Sequence, residues 1–370
     1  MTQRSNRAFT ITVFAIFVSL SIFGDLRAQA TQHHFFIHGW SQSNTSMQPL
    51  ADDMKSSTYL GWGESPTLPY YASLTNSRGI ASEVSGAGVS VHSQLHSDHM
   101  FGNYVGLGYS AGGLHARYEA QSAGSTFIQG IVTLHTPNAG IPLASVGMRN
   151  WLIVALMAAN SKGSVDLNVF ITPAMLTANT FGSSTFDGLV QDMIPGCSFL
   201  NTINGTQPNI PRVAVWGRVA DQQWASFQDA VNGPTNWLNQ QGLYRRTGAM
   251  WNQSAQANQS QYRWYKPWTY GHKAEAMLDW MVSDMWNNKA SAMDDIESAW
   301  ETAIGSKGQS SDGFISVSSQ KAIPNATSII QDNVAGRYIN HGEAILDIVF
   351  SGAHVERLAI YHALQTAGAQ

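Results

Sequence analysis

The sequence has 370 residues, of which 12% are charged, and its formal net charge at pH 7 is -4. This balance argues against a nucleic-acid-binding protein, which needs a basic surface. Cys197 is the only cysteine, so an intrachain disulfide is excluded. We expect Cys197 to be a small buried apolar group rather than a nucleophile.

The first thirty residues have the pattern of a secretory signal peptide. Arg4 and Arg7 precede an apolar run at residues 9–24, and Ala28-Gln29-Ala30 offers a small-residue cleavage site. The apolar run is short for a membrane span, so we expect cleavage after Ala30 and no transmembrane anchor after processing. The expected location is secreted or periplasmic. Residues 31–370 then form one α/β domain that carries insertions.

A strand is predicted at residues 33–37, and His38-Gly39-Trp40 follows it directly. Glycine lets the backbone turn closely at this point. The amide of Trp40 is therefore a candidate donor to an oxyanion.

A second strand is predicted at residues 67–72 and a helix at 78–95. His92, His96 and His99 lie close together there, with Asp98 beside them. A shared helix face would suit a metal ion. We interpret the group instead as a polar helix end, and predict no metal site.

Residues 103–117 read as a short buried strand, a sharp turn and the opening of a helix. The turn is Gly108-Tyr109-Ser110-Ala111-Gly112. A serine held out of so tight a turn needs glycine two residues away on either side, and this context is the nucleophile elbow of α/β-hydrolases. Ser110 is the predicted nucleophile, and the amide of Ala111, at the start of the helix, is the second predicted oxyanion donor.

The next strand is predicted at residues 127–134, with His135 in the loop after it. His135 comes too early in the chain for the base of a serine–acid–histidine order, so we interpret it as structural. A further strand is predicted at residues 212–216.

Two insertions interrupt this alternation, at about residues 141–208 and 222–311. The first contains the apolar run 151–159, which is either a core helix or a mobile cap over Ser110. The second is rich in tryptophan, with helices expected at 272–288 and 293–304. We expect those tryptophans to pack the insertion rather than to form a ligand platform.

The last segment supplies the remaining candidates for a catalytic site. Asp312 lies in the turn at residues 311–317, a strand is predicted at 326–331, and His341 follows in a loop. A closing helix is expected at 344–364, with His354 and His362 within it. The order Ser110, Asp312, His341 is that of α/β-hydrolases, in which the acid orients the histidine that activates the serine. Asp221 is a rival for the acid, but the glycine after Asp312 favours Asp312.

These motifs resemble the secreted bacterial triacylglycerol lipases. Their early H-G, G-H-S-x-G-G-x-x-A-R elbow, N-D-G-L-V acid turn and N-H-L-D base loop have the following counterparts here: His38-Gly39, residues 108–117, residues 311–315 and residues 340–343. Tyr109 replaces the usual histidine, a change expected to leave the mechanism alone. Gly342-Glu343 replaces the Leu-Asp that helps hold calcium in some members, so no calcium is predicted.

The resemblance implies an α/β-hydrolase fold, a mostly parallel sheet flanked by helices. It also implies an exported serine carboxylic-ester hydrolase, specifically a lipase, without a cofactor. Its partners would be an ester or lipid substrate and, transiently, a lipid interface. The alternatives are an esterase acting on a polyester or lipid head group, and a hydrolase-fold binding protein without turnover.

Overall fold

The computed structural model describes residues 33–40, 42–51, 79–85, 104–123, 127–163, 187–219, 223–224, 226–227, 237–334, 337–345, 348–349, 353–354 and 358–368. Several predictions fall outside these residues. They concern the signal peptide, the strand at residues 67–72, the histidine group at residues 92–99 and the rival acid Asp221.

A single five-stranded parallel sheet forms the centre of the described structure, with its strands in chain order. The strands are β1 (His33–Ile37), β2 (Tyr104–Tyr109), β3 (Ile128–Leu134), β4 (Arg212–Trp216) and β5 (Ser328–Gln331). One row across the sheet joins Phe36, Leu107, Val132, Val213 and Ser328. Every residue of β2 is buried, as expected of a parallel strand covered on both faces. The strands predicted at the positions of β1 to β5 are all present.

The helices, in chain order, are α1 (Ile80–Ser85), α2 (Ala111–Ala123), α3 (Val146–Gly163), α4 (Asp187–Asp192), α5 (Ser198–Gly205), α6 (Trp237–Gln261), α7 (Tyr270–Ala303), α8 (Val317–Lys321) and α9 (Leu358–Thr366). Two hydrophobic clusters cover the two faces of the sheet. The larger contains Leu114 of α2 and Leu152 of α3, and the smaller contains Ile360 and Leu364 of α9.

The tryptophan-rich insertion forms an antiparallel helical hairpin of α6 and α7. Small residues allow the two helices to approach closely: Ala255 and Ala276 are fully buried, and the Ser283 hydroxyl donates to the carbonyl of Gly248 at 2.8 Å. The sequence predicts two helices where α7 is one continuous helix of 34 residues. The absence of glycine and proline between Gly271 and Gly305 explains the continuity.

The closing helix predicted at residues 344–364 is wrong in its first half. The structure has a 3₁₀ turn at Gly342–Ile345 and a two-stranded ribbon of Ile348–Val349 and Ala353–His354, and α9 begins only at Leu358. The β-branched pair at positions 348–349 favours strand over helix.

Candidate active site

Ser110 occupies a strained turn between β2 and α2. Its φ is 53°, a left-handed value that is uncommon for a residue with a side chain. The turn is possible because a Cβ at Gly108 would overlap the backbone of Gly112. The Ser110 amide donates to the carbonyl of Leu134 at 2.9 Å, which ties the turn to the end of β3.

The His38-Gly39-Trp40 segment lies directly against this turn. A Cβ on Gly39 would come within 2.8 Å of the Cβ of Ser110, so only glycine allows such an approach. Trp40 follows Gly39 directly in the chain. Ala111 is the first residue of α2, and the first four amides of a helix have no intrahelical acceptor. The two predicted oxyanion donors are thus on segments that meet at Ser110.

The His341 imidazole bridges Ser110 and Asp312. Its Nε2 lies 3.0 Å from Ser110 Oγ, and its Nδ1 lies 2.8 Å from Asp312 Oδ2. The three residues are 231 and 29 positions apart in sequence, yet the fold brings them within hydrogen-bonding distance. With Nδ1–H donating to Asp312, Nε2 is the acceptor for the serine hydroxyl.

Asp312 is fixed in a turn that uses both of its carboxylate oxygens. Oδ1 accepts from the amides of Phe314 at 3.0 Å and Ile315 at 2.7 Å, leaving Oδ2 for histidine. Gly313 has a φ of 96°, which explains the glycine after the acid. The indole of the fully buried Trp300, near the end of α7, donates to the Gly313 carbonyl at 2.9 Å.

The loop that carries His341 is held on two sides. The His341 amide donates to the Asp312 carbonyl at 2.8 Å. The hydroxyl of Tyr109 donates to the His341 carbonyl at 2.6 Å, and the two rings lie 5.1 Å apart. Tyr109, the residue before Ser110, therefore supports the loop of His341. The sequence motifs did not predict this contact.

A second histidine, His135, contacts the same carboxylate. Its Nδ1 lies 3.0 Å from Asp312 Oδ2, and its Nε2 lies 3.3 Å from Asp332 Oδ2. All three side chains are fully buried. His135 has a φ of 48°. The sequence predicts a structural role for His135 in a loop that borders the site, and the structure places it beside the Ser110–His341–Asp312 cluster.

These contacts set the charge of the cluster. Burial lowers the pKa of His135, but hydrogen bonds and charge from Asp312 and Asp332 outweigh it, so its pKa is raised overall. Burial would raise the pKa of Asp312, whereas His341 and His135 hold it well below its usual range. We conclude that Asp312 is a carboxylate whose charge is shared by two histidines.

Among the described residues, His135, Asp312 and His341 are also the group whose ligand atoms come close enough for a metal ion, within 4.8 Å of one another. Those same atoms are already joined by hydrogen bonds of 3.0 and 2.8 Å. A metal ion there would replace the contact that orients His341. The donor set therefore fits a hydrogen-bonded relay better than a metal centre.

Two participants, His135 and Asp332, were not predicted as site residues. Both immediately follow strands, β3 and β5, and so lie at the sheet edge where Ser110 stands. That position was the available signal, because the carboxyl ends of parallel strands share one edge. It identified no partner, since the contact with Asp312 joins residues 177 positions apart.

A parallel sheet in chain order, with a serine elbow after β2 and the acid and histidine in later loops, decides the fold. The chain has the α/β-hydrolase fold. Among the residues described, no helix is long and apolar enough to cross a membrane.

No known protein family and no curated protein matches the sequence. Solved structures with similarity include phospholipase PlaB from Legionella pneumophila, at 16% identity and a TM-score of 0.36, over 55% of this chain and 42% of that one. Esterase RhEst1 from Rhodococcus sp. ECU1013 has 16% identity and a TM-score of 0.28, over 50% of this chain and 72% of the esterase. An extracellular α/β-hydrolase from a Paenibacillus species has 14% identity and a TM-score of 0.27, over 50% of this chain and 76% of that hydrolase. The chain thus spans about two fifths of the phospholipase, and such distant similarities carry no argument about activity.

Proposed function

We propose that this α/β-hydrolase is a serine hydrolase of carboxylic esters, with Ser110 as nucleophile, His341 as base and Asp312 as orienting acid. One observation carries the proposal: the imidazole of His341 lies 3.0 Å from Ser110 Oγ and 2.8 Å from Asp312 Oδ2. A serine hydroxyl is a weak nucleophile unless an adjacent base takes its proton. A binding protein would need none of these contacts.

In the proposed mechanism, Ser110 Oγ attacks the acyl carbon while its proton passes to His341 Nε2. The negative oxygen that forms accepts hydrogen bonds from the amides of Trp40 and Ala111. Each such donor typically contributes 10² to 10³ in rate. Asp312 holds the imidazole in the required tautomer and stabilises its positive charge.

The intermediate then collapses and expels the alkoxide, which takes the proton from His341 and leaves as the alcohol. The acyl group remains bonded to Ser110 Oγ. Water, deprotonated by His341, attacks this acyl-enzyme and releases the carboxylic acid. The balance requires only ester and water, so we propose that no cofactor takes part.

For the substrate we propose a lipid ester, met by an exported enzyme at a lipid interface. Helix α3, which contains the predicted cap segment, supports this. Leu152 and Leu156 are buried in the core, whereas Val154 and Met157 are 66% and 57% exposed. One face of the helix is therefore core, and the other presents apolar side chains to solvent, while the cap over Ser110 stays a prediction. Exposed apolar surface of this kind marks interaction sites.

A fluorophosphonate probe tests the nucleophile. We expect it to label the wild-type protein, and Ser110→Ala to abolish both labelling and ester hydrolysis while the fold is kept. Ser122→Ala is the matched control, because Ser122 lies on α2, the helix that follows Ser110, and its hydroxyl donates to the Glu119 carbonyl. Labelling that persists in Ser110→Ala would overturn the proposal, and a wild type that neither labels nor turns over ester would be a binding protein.

A second comparison separates lipid from short-chain substrates. The double variant Val154→Ser/Met157→Ser should reduce activity on emulsified triglyceride, with little effect on soluble p-nitrophenyl acetate or on Tm. Leu152→Ala, on the buried face, should instead destabilise the fold by about 2–5 kcal/mol. If the wild type prefers soluble short esters to the emulsion, the substrate is a short-chain ester or another acyl compound.

A further inference from the structure

The far end of the helical hairpin exposes large aromatic side chains. We define the hairpin tip as residues 262–273, which comprise the connection between α6 and α7 and the first four residues of α7. Trp264 and Trp268 are 75% and 77% exposed, and Tyr265 is 58% exposed. Indole and phenol rings bury well in apolar surroundings but keep a polar group for water. So large an exposure of such rings indicates an interaction surface.

Side-chain hydrogen bonds to the backbone order the turn at the tip. The Thr269 hydroxyl accepts from the Arg263 amide at 2.9 Å and lies 2.7 Å from the Lys266 carbonyl, to which it donates. The Tyr270 hydroxyl donates to the Trp264 carbonyl at 2.9 Å. These bonds hold the backbone between the two tryptophans, so binding at the tip would require little ordering of the backbone.

The tip is also basic, in a chain whose formal net charge is -4. No aspartate or glutamate occurs between Asp229 and Glu275 in the sequence, whereas Arg263, Lys266 and Lys273 all lie in the tip. The Lys266 ammonium lies 5.6 Å from the Tyr265 ring centroid and 6.0 Å from that of Trp268. Cations and amphipathic rings therefore share one surface.

We propose that the hairpin tip is a docking surface for an anionic phospholipid bilayer. Tryptophan and tyrosine favour the level of the lipid head groups, and lysine and arginine are attracted by anionic lipids. A second copy of the tip is a poor partner, because its cations would meet cations. The apolar strip of Met277, Met281 and Met285, spaced by four residues on α7 and 47% to 68% exposed, continues the tip along one helix face.

This inference deepens the proposed function by naming how the enzyme meets a lipid surface. Binding is to be measured with Ser110→Ala protein, so that vesicle lipid stays intact. We expect cosedimentation with phosphatidylserine/phosphatidylcholine vesicles at about 0.1 M salt, and much less with pure phosphatidylcholine. Raising the salt to about 1 M, where the screening length falls to about 3 Å, should weaken the binding.

Two double variants on this background locate the surface. Lys266→Gln/Lys273→Gln should weaken partitioning about 30-fold, since each basic residue contributes about fivefold. Its matched control is Lys162→Gln/Lys307→Gln, which removes the same charge elsewhere. Trp264→Ala/Trp268→Ala should weaken partitioning by about tenfold or more. Its control is Trp251→Ala, 39% exposed on α6 and about 15 Å from the end of that helix.

The proposal is overturned if the wild-type tip gives no vesicle binding, if tip and control variants bind equally, or if pure phosphatidylcholine binds as well. Sedimentation velocity provides a further check: a dimer that the tip variants dissociate would make a second copy the partner. Hydrolysis of a soluble ester, measured with Ser110 restored, should be unchanged by the tip variants. Loss of vesicle binding with intact turnover would leave the proposed function standing.

Discussion

The two ends of helix α7 use tryptophan in opposite ways. Near its last turn, Trp300 is fully buried and donates its indole N–H to the carbonyl of Gly313, in the turn of Asp312. The centroid of its ring lies 5.1 Å from that of Trp224 and 4.2 Å from that of Phe227. Before its first turn, Trp264 and Trp268 are about three-quarters exposed. One residue type supports the acid at one end and faces solvent at the other.

The two ends should therefore differ in how strongly a substitution affects the protein. At the buried end, single side chains satisfy buried polar groups, so a small change leaves a carboxylate or carbonyl without its partner. At the exposed end, water can replace any lost contact. Substitutions at the buried end should therefore change chemistry and stability, and those at the tip should change association only.

The largest effect is expected from Asp312→Asn. The variant removes the charge that orients His341 and stabilises its protonated form, so kcat should fall by about 10⁴. Asp221→Asn is the comparison, and we expect only a mild effect. Steady-state kinetics on a soluble ester checks both, and the reverse ranking would move the acid to Asp221.

The next effect concerns the buried contacts of His135 with two carboxylates. We expect His135→Asn to destabilise the fold by about 3–5 kcal/mol, because it removes the side chain that two buried carboxylates contact; asparagine tolerates the positive φ. Chemical denaturation measures the change. Adding Asp332→Asn should recover part of it, since it removes one of the two buried carboxylates that lost their contact with His135. If the double variant is no better than the single one, Asp332 is not coupled to His135.

A second buried histidine, His115 on α2, should make stability depend on pH. Burial lowers its pKa to about 4, below the usual value of about 6.5. Between these values the unfolded chain binds a proton and the folded chain does not, so stability is lost as pH falls. The loss should be about 3 kcal/mol. His115→Gln should show a shallower loss between pH 7 and pH 4.5 in urea titrations, and parallel curves would refute the assignment.

The smallest effects compare the two tryptophan positions directly. Trp300→Phe keeps an aromatic side chain but leaves the Gly313 carbonyl without its donor, which should cost about 1–3 kcal/mol and lower kcat several-fold. Trp268→Phe, at the tip, should change stability by less than about 0.5 kcal/mol and leave soluble-ester kinetics alone. Equal changes in stability and kinetics for Trp300→Phe and Trp268→Phe would contradict the distinction between the two ends of α7.

Local features of the sequence determined much of the fold. The positions of the five strands were predicted from apolar runs, and the turn at Ser110 from two glycines around a serine. The predicted order Ser110, Asp312, His341 names three residues that lie within hydrogen-bonding distance, and their catalytic role stays a prediction. Helix boundaries were weaker: one long α7 was predicted as two helices, and α9 was started too early. Periodicity reports a segment's own pattern, so it loses precision where segments join.

Only the tertiary structure decided the partners of individual side chains. His135 meets Asp312 and Asp332, and Tyr109 supports the loop of His341, through contacts between residues far apart in sequence. It also decided which tryptophans are buried, because Trp300 is fully buried and Trp268 is 77% exposed although both belong to the same tryptophan-rich insertion. The physical reason is that burial and hydrogen bonding depend on which distant segment packs against a residue, and local composition carries no information about that segment.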